Sequence, residues 1–305
     1  MPRADRARVR RTFPRALLAV SLLALTVASL AGCGAGPART TAGGGTRTPE
    51  SSVSSTFSPP TRPTVGGSAP TSPAPPATST AVSGNQPLTG RTIVLDPGHN
   101  GGNAAHPDVI NRLVDAGGFR KECDTTGTET DAGYAEHAFT FDVAQRAATV
   151  LRARGATVVF TRTTDTGVGP CVDQRAAAGN RLSAAAALSI HADGGPATGK
   201  GFHVIRPGLL PGRNDAVVGP SESLGQAVHD AMITTGEPTS SYVGSQGYDT
   251  RTDLGGLNLS TVPKVFVECG NMRNADDAGR LTDPGFRQRV ARALADGLGN
   301  YLFGR

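Results

Sequence analysis

Residues 90 to 305 predict an α/β fold: a twisted, mostly parallel or mixed sheet of about six strands, flanked by helices on both faces, in a single domain. Two observations carry this expectation. Short apolar runs alternate along the chain with longer segments whose apolar residues return at helical spacing. Strands separated by helices pack as a sheet covered on both sides. The segment is also long enough to close one sizeable core.

The elements follow in order. Arg91 to Asp96 (RTIVLD) reads as a strand. Glu136 to Arg154 reads as a helix with Phe139, Val143, Ala147, Val150 and Leu151 on its apolar face. Ala156 to Arg162 is a second strand, Asp173 to Ala185 an alanine-rich helix, Ala186 to His191 a third strand and Gly201 to Arg206 a fourth. Ser221 to Thr235 reads as a helix capped by Ser221, with Glu222 near its positive end. Lys264 to Cys269 is a further strand, ended by Gly270. Asp283 caps a last helix that has Pro284 in its first turn and runs to about Leu302.

The chain before this domain has a different character. Residues 1 to 32 read as a lipoprotein signal peptide: arginines from Arg3 to Arg15 lead into the apolar stretch Leu17 to Ala31, which is short for a membrane span. Leu30-Ala31-Gly32-Cys33 resembles a bacterial lipoprotein box. That resemblance makes Cys33 the lipidated residue and places the protein on the outer face of the cytoplasmic membrane, facing the cell wall. Residues 33 to 89 are the cysteine and a linker. Of the 55 residues from 34 to 88, 44 are Ser, Thr, Gly, Pro or Ala. Such a segment buries too little surface to offset its chain entropy, so a disordered tether is expected. The formal charge of +5 belongs to leader and linker, and the chain from residue 91 onward carries −2. A basic-surface case for nucleic acid therefore fails for the folded part.

Open sheets of this kind place ligands at the carboxyl ends of their strands. Several strand ends here carry polar residues: Asp96, then His99 after Pro97-Gly98, and His191. Glu268 lies within the last strand, among Val265, Phe266, Val267 and Cys269. A carboxylate in such a run is costly unless it is paired, bound to metal or catalytic. His99, His191 and a glutamate from the first long helix would form a two-histidine, one-carboxylate zinc set with a position left for water. These donors suit zinc better than calcium. Taken singly, His99 equally fits a residue that shapes a turn, and His191 a partly buried hydrogen-bonding residue.

Six stretches in order carry a resemblance that covers nearly all of residues 91 to 305. They are IVLDPGHNGG (Ile93 to Gly102), AGYAEHAFTFDVAQRA (Ala132 to Ala147), TRTTD (Thr161 to Asp165), GPCVDQRAAAGN (Gly169 to Asn180), ALSIHADGGPATGKGFHV (Ala187 to Val204) and DLGGLNLSTVPKVFVECGNMRNADDAGRL (Asp253 to Leu281). In these the domain resembles the zinc-dependent N-acetylmuramoyl-L-alanine amidases of the third amidase family, particularly the short periplasmic amidases of mycobacteria and their relatives. The resemblance implies a single catalytic domain holding one Zn2+ through His99, Glu136 and His191, with Glu268 as catalytic glutamate. Glu129 rivals Glu136 by proximity alone. The implied reaction is hydrolysis of the amide between the lactyl group of muramic acid and L-alanine, in peptidoglycan or muropeptides, by a monomer. Asn258 is a candidate for the cleft wall. Arg175 and Arg162 are candidates for structural ion pairs or substrate contact, and Asp96 for a partner of a metal histidine or for a turn. Cys123 and Cys171 lie in matching loops and are expected to form a disulfide that braces the approach to the metal. Cys269 is expected to remain a buried free thiol acting as a small hydrophobe, and not a fourth zinc ligand, because adjacent strand side chains face opposite ways.

No cell-wall-binding repeat is read in the chain. The short passage from Asp193 to Lys200 predicts an open site without a blocking helix. The alternatives to an amidase are a zinc peptidase acting on stem peptides and a non-catalytic glycan-binding lipoprotein of the envelope.

Overall fold

The computed structural model describes residues 87 to 304. The expected signal peptide, Cys33 and nearly all of the linker lie outside the described residues. The order of elements is β1 (Thr92–Pro97), α1 (Pro107–Ile110), β2 (Leu113–Asp115), β3 (Arg120–Glu122), α2 (Glu136–Ala153), β4 (Thr157–Phe160), α3 (Val172–Arg181), β5 (Ala186–Asp193), β6 (His203–Pro207), α4 (Asp215–Ile233), β7 (Tyr248–Arg251), α5 (Gly255–Asn258), β8 (Lys264–Asn271), α6 (Ala275–Thr282) and α7 (Pro284–Phe303). Among the described residues no helix is long and apolar enough to cross a membrane.

Six strands form one sheet in the order β4-β1-β5-β8-β6-β7. β4, β1, β5 and β8 run parallel. β6 lies antiparallel to β8, and β7 parallel to β6. The expected mixed sheet between two helical layers is what the chain forms. α2, α4 and α7 pack together over one face, and α3 and α5 cover the other.

The alternation of strand side chains makes these two faces unequal. Ile93, Leu95, Leu188, Ile190, Val204, Val265, Val267 and Cys269 point into the main core with Phe139, Val143, Ala147 and Leu151 of α2. The opposite face holds only a small apolar group around Val94, Ala184, Ala187 and Val262. It carries Asp96, Ser189, His191, Lys264, Phe266 and Glu268 instead. The dry core is thus built on one side and the polar machinery on the other.

Some elements differ from their sequence reading. α4 begins at Asp215, six residues before the expected cap, with Pro220 inside the helix. Ser221 is buried, and its hydroxyl accepts from the Lys264 backbone N–H rather than capping a helix. β7 (YDTR) carries no apolar alternation because it is a short edge strand. The β2–β3 hairpin is likewise short and largely exposed. By contrast Asp283 caps α7 as expected, accepting from Phe286 N at 2.7 Å.

On the polar face a buried ion network ties the sheet to its loops. Asp96, 1% exposed, accepts from Arg175 Nη1 and Lys264 Nζ, both at 2.9 Å, from Thr161 Oγ1 at 2.7 Å and from Ser189 Oγ at 2.9 Å. Burial alone would raise its carboxyl, but Lys264 and Arg175 hold it well below the usual carboxylate range. Its stabilisation is therefore complete above the unfolded-state value near pH ~4 and is lost as pH falls through the depressed native value. Asp96→Ala strands two buried cations and is expected to cost about 3–5 kcal/mol, read as a lowered urea midpoint at pH 7. The Cys123–Cys171 disulfide, which spans 48 residues of sequence, is expected to contribute up to about 4 kcal/mol in the chain-entropy treatment, read by comparing Cys123→Ala/Cys171→Ala with the parent.

Candidate metal centre

His99 follows β1 in a tight turn with φ +56°, a left-handed conformation that is uncommon outside glycine. The turn is held by its carbonyls. Arg162 Nε and Arg175 Nη1 donate to Pro97 O at 3.0 and 2.8 Å, Arg162 Nη2 to Gly98 O at 3.2 Å, and Arg175 Nη2 to His99 O at 3.0 Å. Gly98 has no room for a side chain, since a Cβ there would stand 2.1 Å from His191 Cε1. Gly127, at φ +78°, closes over the same spot, and a Cβ on it would press on Glu136 Oε2 and His99 Cδ2. The backbone is thus packed directly against the three candidate ligands.

Glu136 is the first residue of α2. No side chain caps that helix, and the Glu136 carboxylate sits at its positive end. Oε2 accepts from Thr128 N at 3.0 Å and lies 3.2 Å from His99 Nε2. Oε1 accepts from Ala192 N at 3.2 Å and lies 2.9 Å from His191 Nδ1. His191 stacks on Phe266 at 4.8 Å and meets the His99 ring edge-on at 5.0 Å. One donor atom from each of His99, Glu136 and His191 lies within 4.8 Å of the others. Two imidazoles and one carboxylate, drawn from a turn, a helix start and a strand end, fit the donor set of a catalytic zinc site. Glu129 is exposed and takes no part in the cluster.

The electrostatics suit a cation. Burial alone would lower His99, but Glu136 and Asp124 lift it to about 10. Burial alone would raise Glu136, and the two imidazoles hold it far below the usual range instead. Burial pulls His191 down. The proton that Glu136 and Asp124 hold on His99 is one that a metal ion would displace on binding.

Glu268 is the register partner of His191 across β5 and β8, so both project from the same face. Burial first, then the like charges of Glu136 and Asp193, push its carboxyl well above the usual range. A cleft of about 300 Å³ opens here. Its lining includes apolar Val172, Ile205, Leu254 and Phe266, the cations Lys121 and Arg251, and His99, Glu136, His191 and Glu268.

The remaining expected residues are placed differently. Asp96 touches neither histidine. The carboxylate beside His99 is Asp124, with Oδ1 3.3 Å from Nδ1. Arg175 Nη2 links Asp124 back to the Asp96 network at 2.9 Å, so Arg175 is a structural bridge that also borders the cleft. Asn258 is buried outside the cleft lining, donating from Nδ2 to Ala116 O at 2.8 Å and Thr252 O at 2.9 Å. It pins the β2–β3 turn through the Ala116 carbonyl. Cys123 and Cys171 are bonded, and Cys269 is free and buried. Asp124 had one sequence signal, its position directly after a disulfide cysteine in a matching loop.

Residues 93 to 300 match the family model described as N-acetylmuramoyl-L-alanine amidase. The chain is 40% identical over 216 residues to an N-acetylmuramoyl-L-alanine amidase of Mycobacterium tuberculosis, covering 70% of this chain and 88% of that one. It superposes on the crystal structure of the amidase Ami1 from Mycobacterium smegmatis with a TM-score of 0.68 and 43% identity, over 72% of this chain and 99% of that one. The apo form of Ami1 from Mycobacterium abscessus gives 0.66 and 42%, over 70% and 100%. The match spans the sheet, the turn at His99 and the strand bearing Glu268, and the chain belongs to the N-acetylmuramoyl-L-alanine amidase family.

Proposed function

We propose that this protein hydrolyses the amide between the muramic acid lactyl group and L-alanine in peptidoglycan or muropeptides, using one zinc ion held by His99, Glu136 and His191. The observation that carries the reading is the convergence of those three donors with Glu268 in register beside His191. When bound, zinc supplies the Lewis acidity that acidifies a water and stabilises an oxyanion.

The protein's own groups do the rest. Asp124 and the Thr125 carbonyl take the Nδ1 proton of His99, leaving Nε2 for the metal. Of the Glu268 oxygens, Oε2 is buried without a partner, which leaves Oε1 to face the cleft. Oε1 takes the proton from the attacking water and returns it to the departing amine, which cannot leave as an anion.

The leader supports export, with Cys33 as the lipid-bearing residue and the linker as a tether reaching toward the wall. A glycan-binding lipoprotein without catalysis would have no use for an unpaired buried glutamate beside a metal cluster. A stem-peptide hydrolase is separated by product: an amidase releases the intact stem peptide, a peptidase a shortened one.

Glu268→Gln is expected to keep stoichiometric zinc while turnover of a defined muropeptide drops by about 10²–10⁴-fold, followed by mass spectrometry of products. An active Glu268→Gln enzyme would remove the general-base assignment. His99→Ala and His191→Ala are expected to lose zinc in elemental analysis. They should also lose the rise in Tm that added zinc gives the parent, since a ligand stabilises only the state that binds it.

A further inference from the structure

Two buried polar atoms near the reacting centre find no hydrogen-bond partner among the described residues: Glu268 Oε2 and His203 Nδ1. They belong to opposed positions. His203 of β6 is the register partner of Glu268 in the antiparallel β6–β8 ladder. Opposed residues of such a pair project from one face with Cβ atoms about 4.5–5.5 Å apart. That face is the cleft face, because the next opposed pair in phase, Ile205 and Phe266, lines the cleft. His191, Glu268 and His203 therefore form a single row across β5, β8 and β6.

His203 is 2% exposed. The Tyr242 ring meets it edge-on at 6.1 Å, and the Tyr242 hydroxyl donates to Asp193 Oδ2 at 2.9 Å, which fixes the ring over the imidazole. Asp193 also accepts from Gly194 N at 2.7 Å through Oδ1, so each of its oxygens is engaged elsewhere than on His203. Burial lowers His203, and Arg251 adds to that against the opposing pull of Asp193 and Asp249. The imidazole is neutral and has one N–H to give. Two buried polar atoms left unpaired at opposed positions are a standing cost to the fold. Buried unpaired polar atoms are uncommon, and a catalytic role is one of the reasons they persist.

We propose that His203 is the positioning residue for Glu268, donating from Nδ1 to Oε2 and so aiming Oε1 at the water it deprotonates. The inference rests on Glu268 acting as general base. The two atoms do not bond each other in this structure, but their register places both side chains on one face of adjacent strands, where a change of rotamer joins them.

The test is steady-state kinetics of the zinc-loaded full chain on a defined muropeptide. His203→Leu is expected to lower kcat about 10- to 100-fold with KM and bound zinc unchanged. His203→Asn, whose Nδ2 can stand where Nδ1 stood, is expected to recover most of that loss. Full kcat in His203→Leu, or equal loss in the folded Leu and Asn variants, would overturn the proposal. If either variant folds poorly, 15N NMR of the histidines in the intact protein decides: a proton on His203 Nδ1 whose resonance moves in Glu268→Gln supports it, and an Nε2–H tautomer indifferent to that change refutes it. An active Glu268→Gln enzyme would instead sink the general-base reading, so the two failures are distinguishable.

Discussion

The structure depends on one buried carboxylate. Asp96 sits at the end of a central strand, neutralised by Arg175 and Lys264, which are themselves buried. Arg175 then reaches Asp124, and Asp124 reaches His99. A chain of charge thus runs from the middle of the sheet to a candidate metal ligand. In low dielectric each link is worth having only if the next is present, since an unpaired buried charge costs far more than the pair contributes. The position of His99 is therefore a property of the core, and the site cannot shift without breaking the network beneath it.

The asymmetry of the sheet explains how a small domain accommodates so much buried polarity. One face packs Phe139, Leu95, Ile190, Val267 and their neighbours against three helices, and that face supplies the hydrophobic driving force. The other face is freed to carry Asp96, Lys264, His191 and Glu268. Because side chains alternate along a strand, each central strand contributes to both tasks. Val267 anchors the core while the adjacent Glu268 enters the cleft. Cys269 returns to the core, which is why its thiol takes no part in the metal cluster.

Much of this was legible in the sequence. The five strongest strands, the long α2 helix and the α7 cap stand out by period and by punctuation. His99, His191 and Glu268 stand out as polar residues at or after buried strands, whereas Glu136, an ordinary acid at a helix start, is marked only by the family resemblance. What was not legible depends on direction and on long-range pairing. Asp96 lies at a strand end beside His99 in sequence and shares a sheet face with His191, yet Arg175, Lys264, Thr161 and Ser189 take up its carboxylate, and Asp124 from a distant loop takes the place beside the histidine. Asn258 sits in a matching stretch, but its partners are two backbone carbonyls, which leave no trace in composition. His203 reads as an ordinary strand residue until the antiparallel register sets it opposite Glu268. β7 and the hairpin are too short and too polar to show a period at all.

The left-handed φ of His99 also bears on how metal and fold are coupled. A strained backbone persists only when its surroundings over-determine it. Here Pro97, Gly98 and His99 carbonyls are all held by two arginines, and the absence of a Cβ at Gly98 lets His191 pack onto the turn. These restraints come from protein groups alone. Glu136 likewise has a backbone N–H on each carboxylate oxygen. An ion held by these donors would bind the folded chain alone, and so would add to its stability.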